Sequence, residues 1–189
     1  MNLAHNLLCA SGWWGRRVER ELLPWGLEDC DLGDDVLEIG PGFGKTTRLL
    51  AARLPRLTVV ELEPRYCRRL AAELGSTVAV VQGDATELPF PDARFTAVVC
   101  FTMLHHVPTL ALQDRVFAEV ARVLRPGGKF AGTDSIGAGA LFKLIHIGDV
   151  LRPVEPDALP ARLEAAGLRG ASVARGGRSF RFRVQKAPA

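Results

Sequence analysis

From residue 36 onward, short apolar runs alternate with stretches of helical spacing. Runs at 36–39, 57–61, 77–81, 95–101 and 129–134 predict strands buried on both faces. The segments between them predict helices at 45–54, 64–74 and 112–124. Pro64 stands where a helix tolerates proline, in its first turn, and Gly75 closes that helix. The string Arg125-Pro126-Gly127-Gly128 ends the third helix, and 156–166 predicts one more, stopped by Gly167. Two final strands, 171–175 and 179–185, meet at Gly176-Gly177, which reads as a hairpin. In the second of them, Phe180 and Phe182 alternate with Arg181 and Arg183, one face apolar and one charged. Upstream, 13–23 has helical spacing with Trp13, Trp14 and Leu22, and Pro24 marks its expected end. The whole reads as α/β: a doubly wound, seven-stranded, mostly parallel sheet with one antiparallel strand. Residues 1–32 are expected to form a helical cap across the sheet edge or the site, and 33–189 a single compact unit.

The turn after the first strand concentrates the chemistry. It reads Glu38-Ile39-Gly40-Pro41-Gly42-Phe43-Gly44-Lys45-Thr46. A glycine turn between strand and helix is where parallel α/β folds hold nucleotide-like ligands. Gly44-Lys45-Thr46 imitates the end of a phosphate loop, but that loop needs glycine at position 39, which is Ile; starting from Gly40 it is one residue short. Gly40 and Gly42 begin a dinucleotide fingerprint, but its third glycine would fall on Lys45, whose long side chain opposes close helix–strand packing.

A third pattern, Glu-x-Gly-x-Gly-x-Gly, is filled by Glu38, Gly40, Gly42 and Gly44. It resembles the first motif of the class I S-adenosylmethionine-dependent methyltransferases. Further strings follow in that family's order: Glu61-Leu62 ending the second strand, Gly83-Asp84-Ala85 after the third, Cys100-Phe101 ending the fourth, then Leu104-His105-His106-Val107 and Leu124 to Gly128. The last two are common in its ubiquinone- and menaquinone-type, small-molecule group. The resemblance covers about 33–185 and implies a Rossmann-like methyltransferase fold with S-adenosylmethionine as cofactor. It implies that Glu38 and the turn, Pro41 included, seat the methionine end. Glu61, with Leu62 beside it, would accept from both ribose hydroxyls, Glu63 being the competing acid. Asp84 would accept from the adenine amine, and the Ala85 N–H would meet a ring nitrogen. Cys100 and Phe101 would touch the methionine end through backbone groups. Thr96 departs from the family, which often has Asp there.

The 189 residues suffice for one α/β domain, and 48% apolar content makes the chain globular. The net charge of +3 comes from scattered arginines, so nucleic-acid binding is not indicated. Cys9, Cys30, Cys67 and Cys100 lack metal-ligand spacing, so no metal is expected. With no signal-peptide pattern at the start and no long apolar run, the expectation is a cytoplasmic protein without a membrane span, monomeric or homodimeric.

No residue declares itself a catalytic base. His105 and His106 follow the fourth strand, Asp134 ends the fifth, and His146 falls in a Gly-rich then apolar stretch, 137–151, that reads as a short helix or lid. Each reads equally as a structural or pocket-lining group. The Asn/Asp-Pro-Pro-aromatic string of amino-group nucleic-acid methyltransferases is absent after the fourth strand. Nothing converges the thiols that a metalloid methyltransferase needs. The expected activity is methyl transfer to a small molecule. The alternatives are a partner subunit of the same fold that binds cofactor without methylating a small molecule, and an NAD-binding oxidoreductase.

Overall fold

The computed structural model describes residues 2–137 and 147–188. Seven strands form one sheet: β1 (Asp35–Ile39), β2 (Arg56–Glu61), β3 (Val78–Gln82), β4 (Phe95–Phe101), β5 (Leu124–Ser135), β6 (Leu168–Gly176) and β7 (Ser179–Lys186). Their order is β3-β2-β1-β4-β5-β7-β6. The first five pair in parallel, and β7 runs antiparallel to both β5 and β6. The expected sheet is therefore present. Gly177 takes φ 60° at the first of two turn positions, as a type II′ hairpin turn requires.

Strand alternation divides the core into two layers. Phe95, Val98 and Cys100 of β4 face a layer with Phe117, Phe130, Phe180 and Phe182. Ala97, Val99 and Phe101 face the other, with Leu50, Leu57 and Leu70. Helix α6 (Leu110–Val123) buries Val116, Phe117 and Val120 in the first layer, and α7 (Leu159–Ala165) adds Leu159 and Leu163. Helices α4 (Lys45–Ala51) and α5 (Pro64–Leu74) cover the second. Phe95, Phe117, Phe130, Phe180 and Phe182 are fully buried, and fully burying such a side chain stabilises by about 1.5–3 kcal/mol.

Three expectations change. β5 starts at Leu124, so the string read as a helix stop is already strand; Leu124 pairs with Phe95, and a register shift before Ala97 absorbs the glycines. A helix over Leu3–Ala10 (α1) precedes the expected one, with Asn2 as its N-cap accepting from the His5 N–H. Pro24 does not end the next helical run. That run comprises α2 (Gly12–Arg17), a π turn (Val18–Leu22) and α3 (Leu23–Gly26). The π turn moves the Leu23 N–H onto the Val18 carbonyl. Pro24 thereby sits at the start of a new turn, where its missing N–H costs little.

Thr96, where the family pattern differs, staples β4 to the entry of β1. Its Oγ1 accepts from the Asp35 N–H at 3.0 Å and donates to the Leu32 carbonyl at 2.7 Å.

Candidate active site

A cavity of about 640 Å³ opens at the C-terminal ends of β1, β2, β4 and β5, beneath the N-terminal helices. Its floor is the glycine turn. Gly40, Gly42 and Gly44 take φ of 62°, 52° and 68°. A side chain on Gly40 would drive its Cβ to 2.3 Å from Met103 Cγ. Gly42 differs: a Cβ there would meet nothing within 4 Å and would project into open space beside the turn, and Gly42 lines the cavity. The positive φ and the clear approach leave its backbone bare toward a ligand.

Glu61 ties this turn to the end of β2. Its Oε2 accepts from the Gly42 N–H at 2.9 Å and its Oε1 from the Glu63 N–H at 3.0 Å. A carboxylate offers about four acceptor sites, so both oxygens keep capacity toward the cavity they line. β2 ends at Glu61, and Glu63 stands exposed beyond it.

Across the cavity, a 3₁₀ turn over Leu104–His106 presents two imidazoles. His105 is buried and its Nδ1 meets Oδ1 of the fully buried Asp134. Its backbone N–H also donates to Asp134 Oδ2 at 3.1 Å. Two bonds from one carboxylate fix this ring. His106 packs against His105 and stacks on His5, with centroids 4.2 and 5.1 Å away. His5 Nδ1 in turn lies 2.8 Å from Asp149 Oδ2. All of these except Asp134 line the cavity.

Residues 37–132, just over half the chain, match the family described as "Methyltransferase domain". The chain belongs to that family. The family's cofactor is S-adenosylmethionine. Fatty-acid O-methyltransferase of Mycolicibacterium smegmatis is 41% identical over 54% of this chain and 38% of its own length. Methyltransferase GfsG of Streptomyces halstedii is 32% identical over 74% and 54%. The chain thus spans about half or less of the length of these curated relatives. The structure of an S-adenosylmethionine-dependent methyltransferase from Methanosarcina mazei superposes with TM-score 0.69 at 18% identity, over 84% of this chain and 95% of that one, a likeness of fold.

Within this methyltransferase domain, the expected site residues separate into two groups. Gly40, Pro41, Gly42, Glu61, Leu62, Gly83, Asp84, Ala85 and Phe101 line the cavity, as do His105 and His106. Asp84 is exposed and spends its Oδ1 on the Thr86 N–H and hydroxyl, both at 2.8 Å. Glu38, Gly44, Cys100 and Asp134 lie behind the wall. β1 alternation turns Glu38 toward α4, where the Thr46 hydroxyl donates to its Oε1, and its buried Oε2 has no partner among the described residues. Burial pushes its pKa up to about 7, which the Thr46 bond moderates. Gly44 caps α4 and packs against Leu70. The Cys100 side chain points into the Phe117 layer, where burial raises its thiol well above the usual range. His146 lies outside the described residues. Cavity residues beyond those the sequence singled out include Thr46, His5 and Asp149. Thr46 was legible as a hydroxyl in the first turn of α4; His5 and Asp149 are 144 residues apart and carry no local signal.

Proposed function

We propose that this domain is an S-adenosylmethionine-dependent methyltransferase acting on a small, largely apolar acceptor. The observation that carries the proposal is the Glu61 carboxylate, bonded to the Gly42 N–H in the floor of the cavity. In this reading Glu61 accepts from the ribose hydroxyls, the bare backbone of Gly40–Gly42 faces the methionine end, and Asp84 with Ala85 meets the adenine. Glu38 acts from beneath, holding Thr46 and the turn. When bound, S-adenosylmethionine supplies an activated methyl group on its sulfonium. The protein's part is to orient the acceptor, exclude water and take up a proton.

That last task falls to His105. Its Nδ1 meets the buried Asp134 carboxylate, which orients the ring in the cavity to take a proton from an acceptor hydroxyl or amine. A buried carboxylate orienting an imidazole inside the cofactor cavity favours reaction over binding alone. The relative from M. smegmatis is named for an O-methyl transfer to fatty acids. Trp13, Trp14, Val18, Leu22 and Phe101 give this cavity an apolar wall of the kind such an acceptor needs.

Calorimetry tests the reading. The wild-type protein is expected to bind S-adenosylmethionine, and Glu61→Ala to weaken binding by about tenfold to a hundredfold, the worth of hydrogen bonds to a charged group. Glu63→Ala should leave affinity within about twofold. Equal losses in the two variants would remove Glu61 from the ribose site; no binding to wild type would end the proposal.

A further inference from the structure

The cofactor cavity does not end at the acceptor. It abuts a second cleft of about 450 Å³, and Arg17, Leu22 and Ser179 line both. The cleft runs between the helical segment from Arg17 to Glu28 and the β6–β7 turn. Leu22, Pro24 and Trp25 form its apolar side. The turn packs tightly there: a Cβ on Gly176 would come within 2.8 Å of the Trp25 ring.

Charge in and around this junction is uneven. Its two acids are already engaged. Glu21 pairs with Arg17 at 3.5 Å, and Glu28 accepts from Arg181, which holds its carboxyl below the usual range. Arg17 Nε is buried without a hydrogen-bond acceptor among the described residues. Arg20 in the cleft and Arg178 in the adjoining cavity wall are exposed, and among the described residues neither guanidinium has an ion-pair partner. Among the described residues two guanidiniums without an ion-pair partner, Arg20 and Arg178, therefore flank the passage, while Arg17 and Arg181 are committed to its carboxylates. Arginine forks are suited to carboxylate, sulfate or phosphate oxygens.

We propose that this cleft is the tail subsite of an elongated acceptor: the nucleophile lies by His105 and an anionic group, at the far end of an apolar body, meets Arg20 and Arg178. The inference rests on the methyltransferase reading and deepens it. It explains why an apolar wall opens onto uncompensated arginines instead of closing. It also sets a minimum acceptor length, because an acceptor confined to the cofactor cavity does not reach Arg20.

The test uses the full chain saturated with S-adenosylhomocysteine, the demethylated cofactor, so that a first titration checks cofactor binding by itself. Three probes follow by calorimetry: 12-hydroxydodecanoate, the uncharged 1,12-dodecanediol, and the short 6-hydroxyhexanoate. The long carboxylate is expected to bind at least about tenfold more tightly than the diol, and the short one to show no such gain. The advantage should vanish in Arg20→Gln/Arg178→Gln and persist in Arg68→Gln, a change on the exposed face of α5. Equal binding of the two long probes, an advantage that survives the double variant, or no binding of either to the loaded protein would each overturn the tail subsite while leaving the methyltransferase reading intact. A chain that fails the first titration refutes both.

Discussion

Glu38 and Glu61 stand near the C-terminal ends of neighbouring strands on the same face of the sheet, and their surroundings divide their chemistry. Glu61 accepts two backbone N–H groups at the cavity wall. Glu38 is fully enclosed beside the Thr46 and Thr47 hydroxyls, and burial, the larger effect, lifts its pKa from the ordinary 4.5 to about 7. Because folding raises this pKa, the stability it contributes is complete below pH 4.5 and is lost as pH rises through 7. Across that window the wild type should lose on the order of 3 kcal/mol that Glu38→Gln does not. Urea unfolding at a series of pH values checks this, and a slope in Glu38→Gln as steep as in wild type would assign the pH dependence to another group. Glu61 could be chosen over Glu63 in the sequence because it closes an apolar run. That Glu38 stands behind the wall could not be read there, because its place relative to the cavity depends on where α4 lies.

At the scale of elements, the N-terminal helices and the segment 147–150 form a roof joined by side chains. His5 of α1 meets Asp149, and Asn2 Nδ2 donates to the Ile147 carbonyl at 2.7 Å. Beneath them lies Cys9, whose thiol is pushed up to about 11, first by burial and then by the Asp149 charge. Asp149→Asn removes that charge and loosens the clasp, and both effects increase the thiolate exposed to reagent. In a Cys30→Ser background, where Cys67 and Cys100 stay buried, labelling of Cys9 by a disulfide reagent at pH 8 should speed up at least about fivefold. An unchanged rate would mean that the clasp does not hold the roof. The π turn belongs to the same element. It lets one helical run continue past Pro24 and so carries Trp25 to the second cleft, which Arg17 and Leu22 also line.

For the whole molecule, the cavity draws its walls from segments scattered between His5 and Ser179. A ligand bound there ties the N-terminal helices, the glycine turn and the terminal hairpin to one another. S-adenosylhomocysteine at a hundred times its dissociation constant should therefore stabilise the fold by about 2.7 kcal/mol. For a chain of this length that is an upward shift in Tm of about 5–10 °C. Differential scanning calorimetry with and without ligand measures it, and a Tm that does not move would argue against binding at a site that spans the fold. Among the described residues no helix is long and apolar enough to cross a membrane.

The sequence by itself determined the sheet, its layers and the glycine turn. Those features depend on local periods, on residues such as Gly42 that alone tolerate their backbone angles, and on strand ends that leave Glu61 where an apolar run stops. Only the tertiary structure decided what those pieces enclose. It put Glu38 under Thr46, set Asp134 behind His105, and joined His5 to Asp149. Strand alternation says which face a residue takes but not what packs there. Contacts between residues 29 or 144 positions apart form only when the layers close, and no local pattern records them.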